Sequence, residues 1–406
     1  MKVIFVSNFF NHHQKPLADE MYLQSEGRYR FIATETIPDE RVKLGWGMDS
    51  FPAYVIPSTY TNSHMAEILQ LINESDVVII GSASDSFIRE RLRLGKLTFR
   101  YFERPFRNGW ELYKYPVRFY RWHKNNPQSN HFYVLCASAY TSSDFAKFFL
   151  FKNKCYKWGY FPEVKSHNIA ELINAKEANS ILWVGRLLDW KHPEVPILIA
   201  EKLKQKGYVF KLNIIGCGSN WEKIARMIDE KQLNAHVHLH DAMPPEQIRK
   251  YMERAKIYLF TSDRREGWGA VLNEAMNSGC GVVASHAIGS VPFLIDNGVN
   301  GYIYQDGNID NICQKVEYLL AHPAICAKLG QNAYSTMESE WNAKNATQRF
   351  FVLCNKLLDG EVSPFPYAHG VCSRAESLND NWFNKIKNRI ITTNPKACKT
   401  KESNKE

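Results

Sequence analysis

The stretch EGWGAVLNEAM places one carboxylate at Glu266 and a second at Glu274. On a continuous helix, eight residues make a little over two turns, so both acids would share one face about 12 Å apart. That is too far for a shared proton or a shared metal. Gly267 and Gly269 argue instead that a helix begins near Ala270, with Glu266 in the loop at its mouth and Glu274 just beyond the first turn. Carboxylates accept hydrogen bonds from hydroxyls, and a helix N-terminus favours an anion through its free N–H groups and dipole. The arrangement therefore suits two sugar rings with a phosphate between them.

Partners for such a phosphate stand upstream. In SILWVGRLLDWK, Arg186 and Lys191 follow an apolar run. A short loop carrying both cations can hold one anion through charge-assisted bonds of about 1.5–3 kcal/mol each. In FKLNIIGCGSNW, Gly216 and Gly218 lie between an apolar run and a helical stretch; many such turns need glycine for backbone geometry alone. Singly, these features also fit incidental acids on a surface helix, solvated bases and an ordinary turn. Together they fall in order at the ends of successive apolar runs, which chance does not readily produce.

Those runs are strand-sized. KVIFVS (2–7), DVVIIG (76–81) and FYVLCAS (132–138) mark the first half. The pattern restarts with SILWVGR (180–186), FKLNIIG (210–216), HVHLH (236–240), KIYLFTS (256–262) and CGVVAS (280–285), between helical stretches at 193–207 and 220–232. Such alternation predicts α/β architecture with parallel sheets covered by helices. At 406 residues the chain is too long for one ordinary core. Two doubly wound domains are expected, over 1–165 and 180–340, with a linker at 166–179. Ligands of such sheets bind beyond the carboxyl ends of the strands.

Composition is globular, 45% hydrophobic and 23% charged, and no apolar run approaches the roughly 18 residues of a membrane span. The start, MKVIFVSNFF, reads as a first strand and not as a signal peptide. Nine scattered cysteines without a CxxC pair suit a reduced, cytoplasmic protein and argue against a structural zinc site or a disulfide framework. The formal charge is +9, and residues 87–124 carry 11 bases against 3 acids with 11 aromatic residues interleaved. That segment fits an anionic membrane surface, single-stranded nucleic acid, or two amphipathic helices with rings inward and bases in water. Glu103 and Arg104 within it read as an ion pair. In the loop NFFNHHQKP, Asn11, His12 and His13 can hydrogen-bond a phosphate or a hydroxyl. Paired histidines also suggest a metal, but no further His or Cys stands at ligand spacing.

The set VGRLLDWK, IIGCGSNWEKI, EGWGAVLNEAMNSGCGVVAS and NGVNGYIY, over about residues 180–340, resembles the retaining glycosyltransferases of family 4 (glycosyl transferases group 1). That family has the GT-B fold, two Rossmann-like domains facing each other across a cleft. The resemblance implies that Arg186 and Lys191 bind the donor diphosphate, Glu266 touches donor-sugar hydroxyls and Glu274 grips the ribose. Gly267, Trp268, Gly269, Gly216 and Gly218 would complete donor binding, with the base held near His240–Met243. Asn11, His12 and His13 would form a phosphate or acceptor loop, although it lacks the glycines usual there. AIGSVPF keeps Gly289 and Pro292 but has Phe293 where the family often has an acid.

The implied protein is a metal-independent retaining glycosyltransferase without cofactor. It would move a sugar from a nucleotide-diphospho-sugar to a saccharide or lipid-linked acceptor in cell-surface polysaccharide synthesis. It would be cytoplasmic, with residues 87–124 able to meet the inner membrane face, and would not bind nucleic acid. A helix at 341–360 would cross back to the first, acceptor-side domain, leaving 361–406 as a basic polar tail, partly disordered. The rival readings are a nucleotide-sugar epimerase or phosphorylase on the same fold, or a basic membrane- or nucleic-acid-binding protein with a degenerate site. No paired acid/base groups, free-phosphate pocket or pyridoxal lysine is visible for the enzymes, and an intact Arg186/Lys191/Glu266/Glu274 set argues against degeneracy.

Overall fold

The computed structural model describes residues 1–39, 42, 47–48, 50–109, 111–361, 365–378 and 382–386. Among them, the short β-branched and aromatic runs form two sheets. The first contains β1 (Val3–Ser7), β2 (Tyr29–Ala33), β3 (Val55–Ile56), β4 (Val77–Ile80), β5 (Thr98–Phe102), β6 (Phe132–Cys136) and β7 (Cys155–Lys157). The second contains β8 (Ser180–Val184), β9 (Lys211–Ile215), β10 (Val237–His240), β11 (Ile257–Phe260), β12 (Gly281–Ser285) and β13 (Tyr302–Tyr304). Every strand pairing is parallel. Central strands such as β4 and β12 are buried along their whole length, because helices cover both faces of a parallel sheet.

Strand order is β3-β2-β1-β4-β5-β6-β7 in the first sheet and β10-β9-β8-β11-β12-β13 in the second. Each order reverses once, between β1 and β4 and between β8 and β11. At such a reversal the following loops diverge to opposite faces and leave a crevice at the strands' carboxyl ends. The loop with His12 and His13 follows β1, the loop with Arg186 and Lys191 follows β8, and the EGWG turn follows β11.

An aromatic seam joins the two domains. Trp268 from the second is fully buried, with its ring 5.9 Å from Trp341 and 6.3 Å from Tyr160. Trp158 meets Phe161 at 5.0 Å and Phe350 at 5.5 Å, and Phe161 stacks on Trp341 at 6.4 Å. Phe350 lies on the helix Ala343–Leu358, which packs on the first-domain helix Lys15–Gln24, and its ring stands 5.1 Å from Phe99 of β5. Phe293 belongs to this seam, stacked 6.1 Å from Trp341. That packing explains an aromatic ring at a position where an acid was expected.

Two expectations are corrected here. Residues 87–124 are not a pair of surface helices, since β5 runs through their middle. Two of the bases are core groups: Arg91 is fully buried, and Arg100 pairs with Asp85 at 2.7 Å. The chain after 361 is not simply a loose polar tail. Residues 370–375 bond along β7, through Cys372 N–H to Lys157 O, Lys157 N–H to Ser373 O and Ala375 N–H to Cys155 O at 2.8–2.9 Å. They cover an edge that would otherwise expose unpaired strand groups. The helix Trp382–Ile386 then buries Phe383. Its few apolar residues cover an edge and a crease, so they carry no helical or strand period. Residues 387–406, the end of that expected polar and partly disordered tail, lie outside the described residues. Among the described residues, no helix is long and apolar enough to cross a membrane.

Arg91 donates to the carbonyls of Ile72, Ser75, Asp76 and Leu97 at 2.7–2.8 Å and to Thr98 Oγ1 at 3.1 Å. Burial lowers its pKa to about 10, so it stays charged at neutral pH. Arg91→Met strands those acceptors and should lower unfolding free energy by roughly 3 kcal/mol or more. Arg121→Met, at an exposed position of the same segment, should change it by less than about 0.5 kcal/mol. Urea denaturation of the two variants measures the contrast.

Candidate active site

The switch-point loops enclose a cleft of ≈ 790 Å³ between the two domains. From the second domain it is lined by Arg186, Lys191, Glu266, Gly267, Gly269 and Glu274, and from the first by His12, His13, Glu103, Arg107 and Tyr160. At its centre, Lys191 Nζ makes a close ion pair with Glu266 Oε2, which also accepts from Ser262 Oγ at 2.9 Å. Both partners are largely buried. Thr261 ties the two loops together: its hydroxyl donates to Lys191 O at 2.7 Å and accepts from Trp183 Nε1 at 2.8 Å. Lys191 Nζ also lies 4.5 Å from the centre of the Trp190 ring. Arg186, by contrast, is exposed at the rim and forms no ion pair among the described residues.

Glu274 sits in the first turn of the helix Val271–Asn277. Burial raises its pKa above the usual carboxylate range, opposed by the charges of Arg249 and Lys165. Arg249 is itself buried and fixed by Asn277 Oδ1 and by the carbonyl of Glu274 at 3.2 Å. No short-range sequence signal marked it, because it projects from the neighbouring helix Pro245–Arg254. Met243, Pro245 and Ile248 give the cleft an apolar wall beside Glu274.

The EGWG turn is shaped by close approach. A Cβ on Gly267 would run into the Glu103 carboxylate, and Gly269 has φ +83° against the Phe260 ring. A Cβ on Gly289 would strike the Gly267 carbonyl and the Ser138 hydroxyl. Gly289 thereby bridges the domains: its N–H donates to Glu266 O at 3.1 Å, and its carbonyl accepts from Ala139 N–H at 2.8 Å.

Comparison with known proteins bears on this geometry. Residues 164–336 match the family model of the glycosyl transferases group 1. The chain is 28% identical over 192 residues to a poly(ribitol-phosphate) alpha-N-acetylglucosaminyltransferase of Staphylococcus aureus, covering 47% of this chain and 38% of that one. It is 30% identical over 182 residues to the amylovoran biosynthesis glycosyltransferase AmsK of Erwinia amylovora, covering 44% of each. The matches thus span less than half of these curated relatives. The crystal structure of Anabaena HepE, in complex with UDP and glucose, superimposes with a TM-score of 0.62 at 14% identity, covering 86% of this chain and 98% of that one. The fold is GT-B.

In this GT-B cleft the structure brings together Arg186, Lys191, Glu266, Glu274, Gly267, Gly269, His12 and His13. Other assignments need correction. The Trp268 indole does not line the cleft; its Nε1 donates to buried Asn273 Oδ1 at 2.9 Å within the seam. Gly216 and Gly218 do not line it either. A Cβ on them would strike the carbonyls of Gly185 and Leu187, so they let the β9 turn press against the Arg186 loop. Asn11 turns inward and accepts from His13 N–H at 2.9 Å. Of His240–Met243, Met243 reaches the wall, while His240 pairs with Asn213 at 3.0 Å.

Glu103 and Arg104 are not partners. Arg104 bonds Asp144 at 3.3 Å, and Glu103 turns into the cleft. Successive residues at a strand end point to opposite faces, which the adjacent charges had concealed. The His12 and His13 rings lie 3.9 Å apart, tilted by 44°. Burial, then His12, depresses His13 to about 3, so it is neutral at physiological pH. Among the described residues, no group of three or more His, Cys, Asp or Glu is placed to hold a metal ion.

Gly289→Ala should force apart the three backbones that meet there. The expected cost is about 1–3 kcal/mol of overpacking. Hydrogen exchange should show lost protection at the Ala139 amide, with little change at Val134 in the centre of β6.

Proposed function

We propose that this protein is a retaining, metal-independent glycosyltransferase that transfers a sugar from a nucleotide-diphospho-sugar to a saccharide or lipid-linked acceptor in cell-surface polysaccharide synthesis. The observation that carries the reading is the convergence of Arg186, Lys191, Glu266 and Glu274 on one interdomain cleft, in a region that matches the group 1 glycosyl transferases. Relatives named for poly(ribitol-phosphate), poly(glycerol-phosphate) and amylovoran point to surface polymers as the class of product.

The chemistry follows from the charges. Arg186 and Lys191 face the diphosphate and supply the positive charge that a divalent ion supplies in other transferases. As the bond from sugar to phosphate lengthens, negative charge grows on the diphosphate, and fixed cations then bind more strongly than in the ground state. Glu266 holds donor-sugar hydroxyls while its other interactions, to Lys191 and Ser262, fix its rotamer. Glu274, beside the apolar wall, accepts from the ribose hydroxyls. No pyridoxal or flavin group enters this scheme.

The division of labour between the glutamates tests the donor site. In excess chelator, calorimetry should still register nucleoside diphosphate binding. Glu274→Gln should weaken diphosphate and intact donor alike by roughly 1.5–3 kcal/mol. Glu266→Gln should leave diphosphate affinity nearly unchanged while turnover falls. Abolition of binding by chelator would refute the metal-free reading, and equal loss of diphosphate affinity in both variants would refute the assignment of two rings.

The helix Tyr115–Asn125 supports a lipid-facing role. It contains no fully buried residue, and Tyr113, Val117 and Tyr120 are 76%, 72% and 68% exposed. Glu111 neutralises Lys114 and Arg118, at 2.7 and 2.9 Å, but Arg121 and Lys124 have no acidic partner among the described residues. Exposed rings beside unpaired bases suit the headgroup region of an anionic leaflet, at about 1 kcal/mol per base. Co-sedimentation with phosphatidylglycerol vesicles should fall with salt and with the triple change Tyr120→Ser, Arg121→Gln and Lys124→Gln. Equal recovery on neutral vesicles would oppose this role.

A further inference from the structure

Lys191 is followed by a histidine in a backbone conformation that favours glycine. His192 ends the short turn Asp189–Lys191 with φ +52° and ψ +55°. This is the left-handed region, which few side chains enter, histidine being among those enriched there. The Thr261 hydroxyl, which donates to the Lys191 carbonyl, also lies 3.2 Å from that of His192. On the other side of the turn, Asp263 N–H donates to Trp190 O at 3.0 Å. The β8 loop thus takes its shape from the β11 loop, and His192 stands where the two meet.

Acids from three elements face its ring. Nδ1 lies 2.8 Å from Glu194 Oε1, at the start of the helix Glu194–Gln205, and Nε2 lies 3.6 Å from Asp263 Oδ2 in the β11 loop. Asp306, just after β13, is the third. Behind them stand Lys223 toward Glu194, Arg265 on Asp263 and His286 toward Asp306. A neutral imidazole donates through one nitrogen only, so carboxylates at both nitrogens suit the imidazolium. The bond to Glu194 raises the His192 pKa above the ordinary imidazole value; burial opposes the rise, and the charges of Glu194, Asp263 and Asp306 add to it. Asp263 also grips Arg265, with Nη2 2.7 Å from Oδ2, and both Arg265 and Lys191 line the cleft.

We propose that His192 is the positioning residue of the donor-side turn: as an imidazolium it clamps the β8 loop to Asp263 and to Glu194, and so holds Lys191 and Arg265 toward the diphosphate of a nucleotide sugar. This rests on the donor reading given above. His192 acts through those two cations and not by contact with the donor. Its charge also offsets one of the three acids behind the turn, which would otherwise repel the diphosphate. Because its pKa lies above the ordinary value, the clamp is complete at the acid end of the neutral range and is lost as pH rises through that pKa. Burial pushes His12 and His13 the other way, so neither titrates in this window.

The test is calorimetric titration with UDP-glucose, GDP-mannose and ADP-glucose in turn, from about pH 6 to about pH 9. Intact nucleotide sugars are the probe because their diphosphate, esterified at both ends, does not titrate near neutrality as a free nucleoside diphosphate does. Wild-type affinity for the donor that binds should fall by about fivefold or more across this range. His192→Asn tolerates the left-handed backbone and stays neutral, so it should bind at the weaker level throughout and lose the pH dependence. Glu194→Gln removes the main support of the charge and should move the midpoint of the fall to lower pH, a shift that a merely structural role does not produce. A flat wild-type profile would overturn the proposal, as would a fall that persists unchanged in His192→Asn or an unmoved midpoint in Glu194→Gln. Wild-type protein that binds none of the three donors at any pH would instead overturn the donor reading itself, a result seen before any variant is made.

Discussion

The burial of Trp268 is the constraint on which the cleft depends. Its indole sits among Tyr160, Phe293 and Trp341, fully withdrawn from water, with its N–H satisfied by Asn273. A side chain of this size buries a large apolar area and tolerates little displacement in a close-packed interior. Because Trp268 is flanked by Gly267 and Gly269, fixing its ring fixes the backbone on both sides. Glu266 is thereby held at one end of the turn and the helix bearing Glu274 at the other. The same seam includes Trp158 and Phe161 from the first domain, so the ring that sets the EGWG turn also sets the distance to the opposite wall.

Electrostatics inside this frame are arranged around one buried pair. Lys191 and Glu266 are each largely withdrawn from water, a state that is costly for an isolated charge and tolerable for a well-bonded pair. The hydroxyls of Ser262 and Thr261 complete the bonding and join the β8 and β11 loops into one unit. Arg186 remains at the rim without an acidic partner among the described residues, available to an incoming anion. Across the cleft, Glu103 is bonded by a neutral tyrosine hydroxyl. Glu103 is thus held by a hydroxyl and faces Arg107 at 3.6 Å, whereas Glu266 is paired with the Lys191 ammonium group.

The chain beyond the last strand also decides how the domains meet. The helix Ala343–Leu358 leaves the second domain and packs on the first, and residues 370–375 then shield the β7 edge. The helix Trp382–Ile386 touches both domains: Trp382 Nε1 donates to Tyr140 Oη at 3.0 Å, and the Ile386 carbonyl accepts from Asn297 Nδ2 at 3.2 Å. Closure of the cleft is therefore supported from outside by a segment that carries none of its chemistry.

Much of this was legible in the sequence because it is local. Strand runs such as VVII and SILWV announce a parallel sheet through continuous apolarity, and their restart after residue 179 announces a second one. Arg186, Lys191 and Glu266 were legible because they lie in the loops directly after β8 and β11, and Glu274 because it lies in the first turn of the helix that follows, where a doubly wound sheet places its ligand groups. What the sequence could not settle is what side chains do across long separations. Trp268 resembled a ligand-flanking residue until the seam claimed it, and Gly216 and Gly218 serve a neighbouring loop that is distant in sequence. Arg91 and Arg100 counted as surface charge until carbonyls and Asp85 enclosed them. The Glu103–Arg104 pair dissolved because adjacent residues at a strand end face opposite ways. Sequence by itself determined the two sheets and the order of Arg186, Lys191, Glu266 and Glu274 along the second one, through periodicity and spacing. Tertiary structure alone decided which residues face the cleft, because burial and partner choice depend on elements that are distant in sequence, as when Lys191 meets Glu266 and Tyr160 meets Glu103.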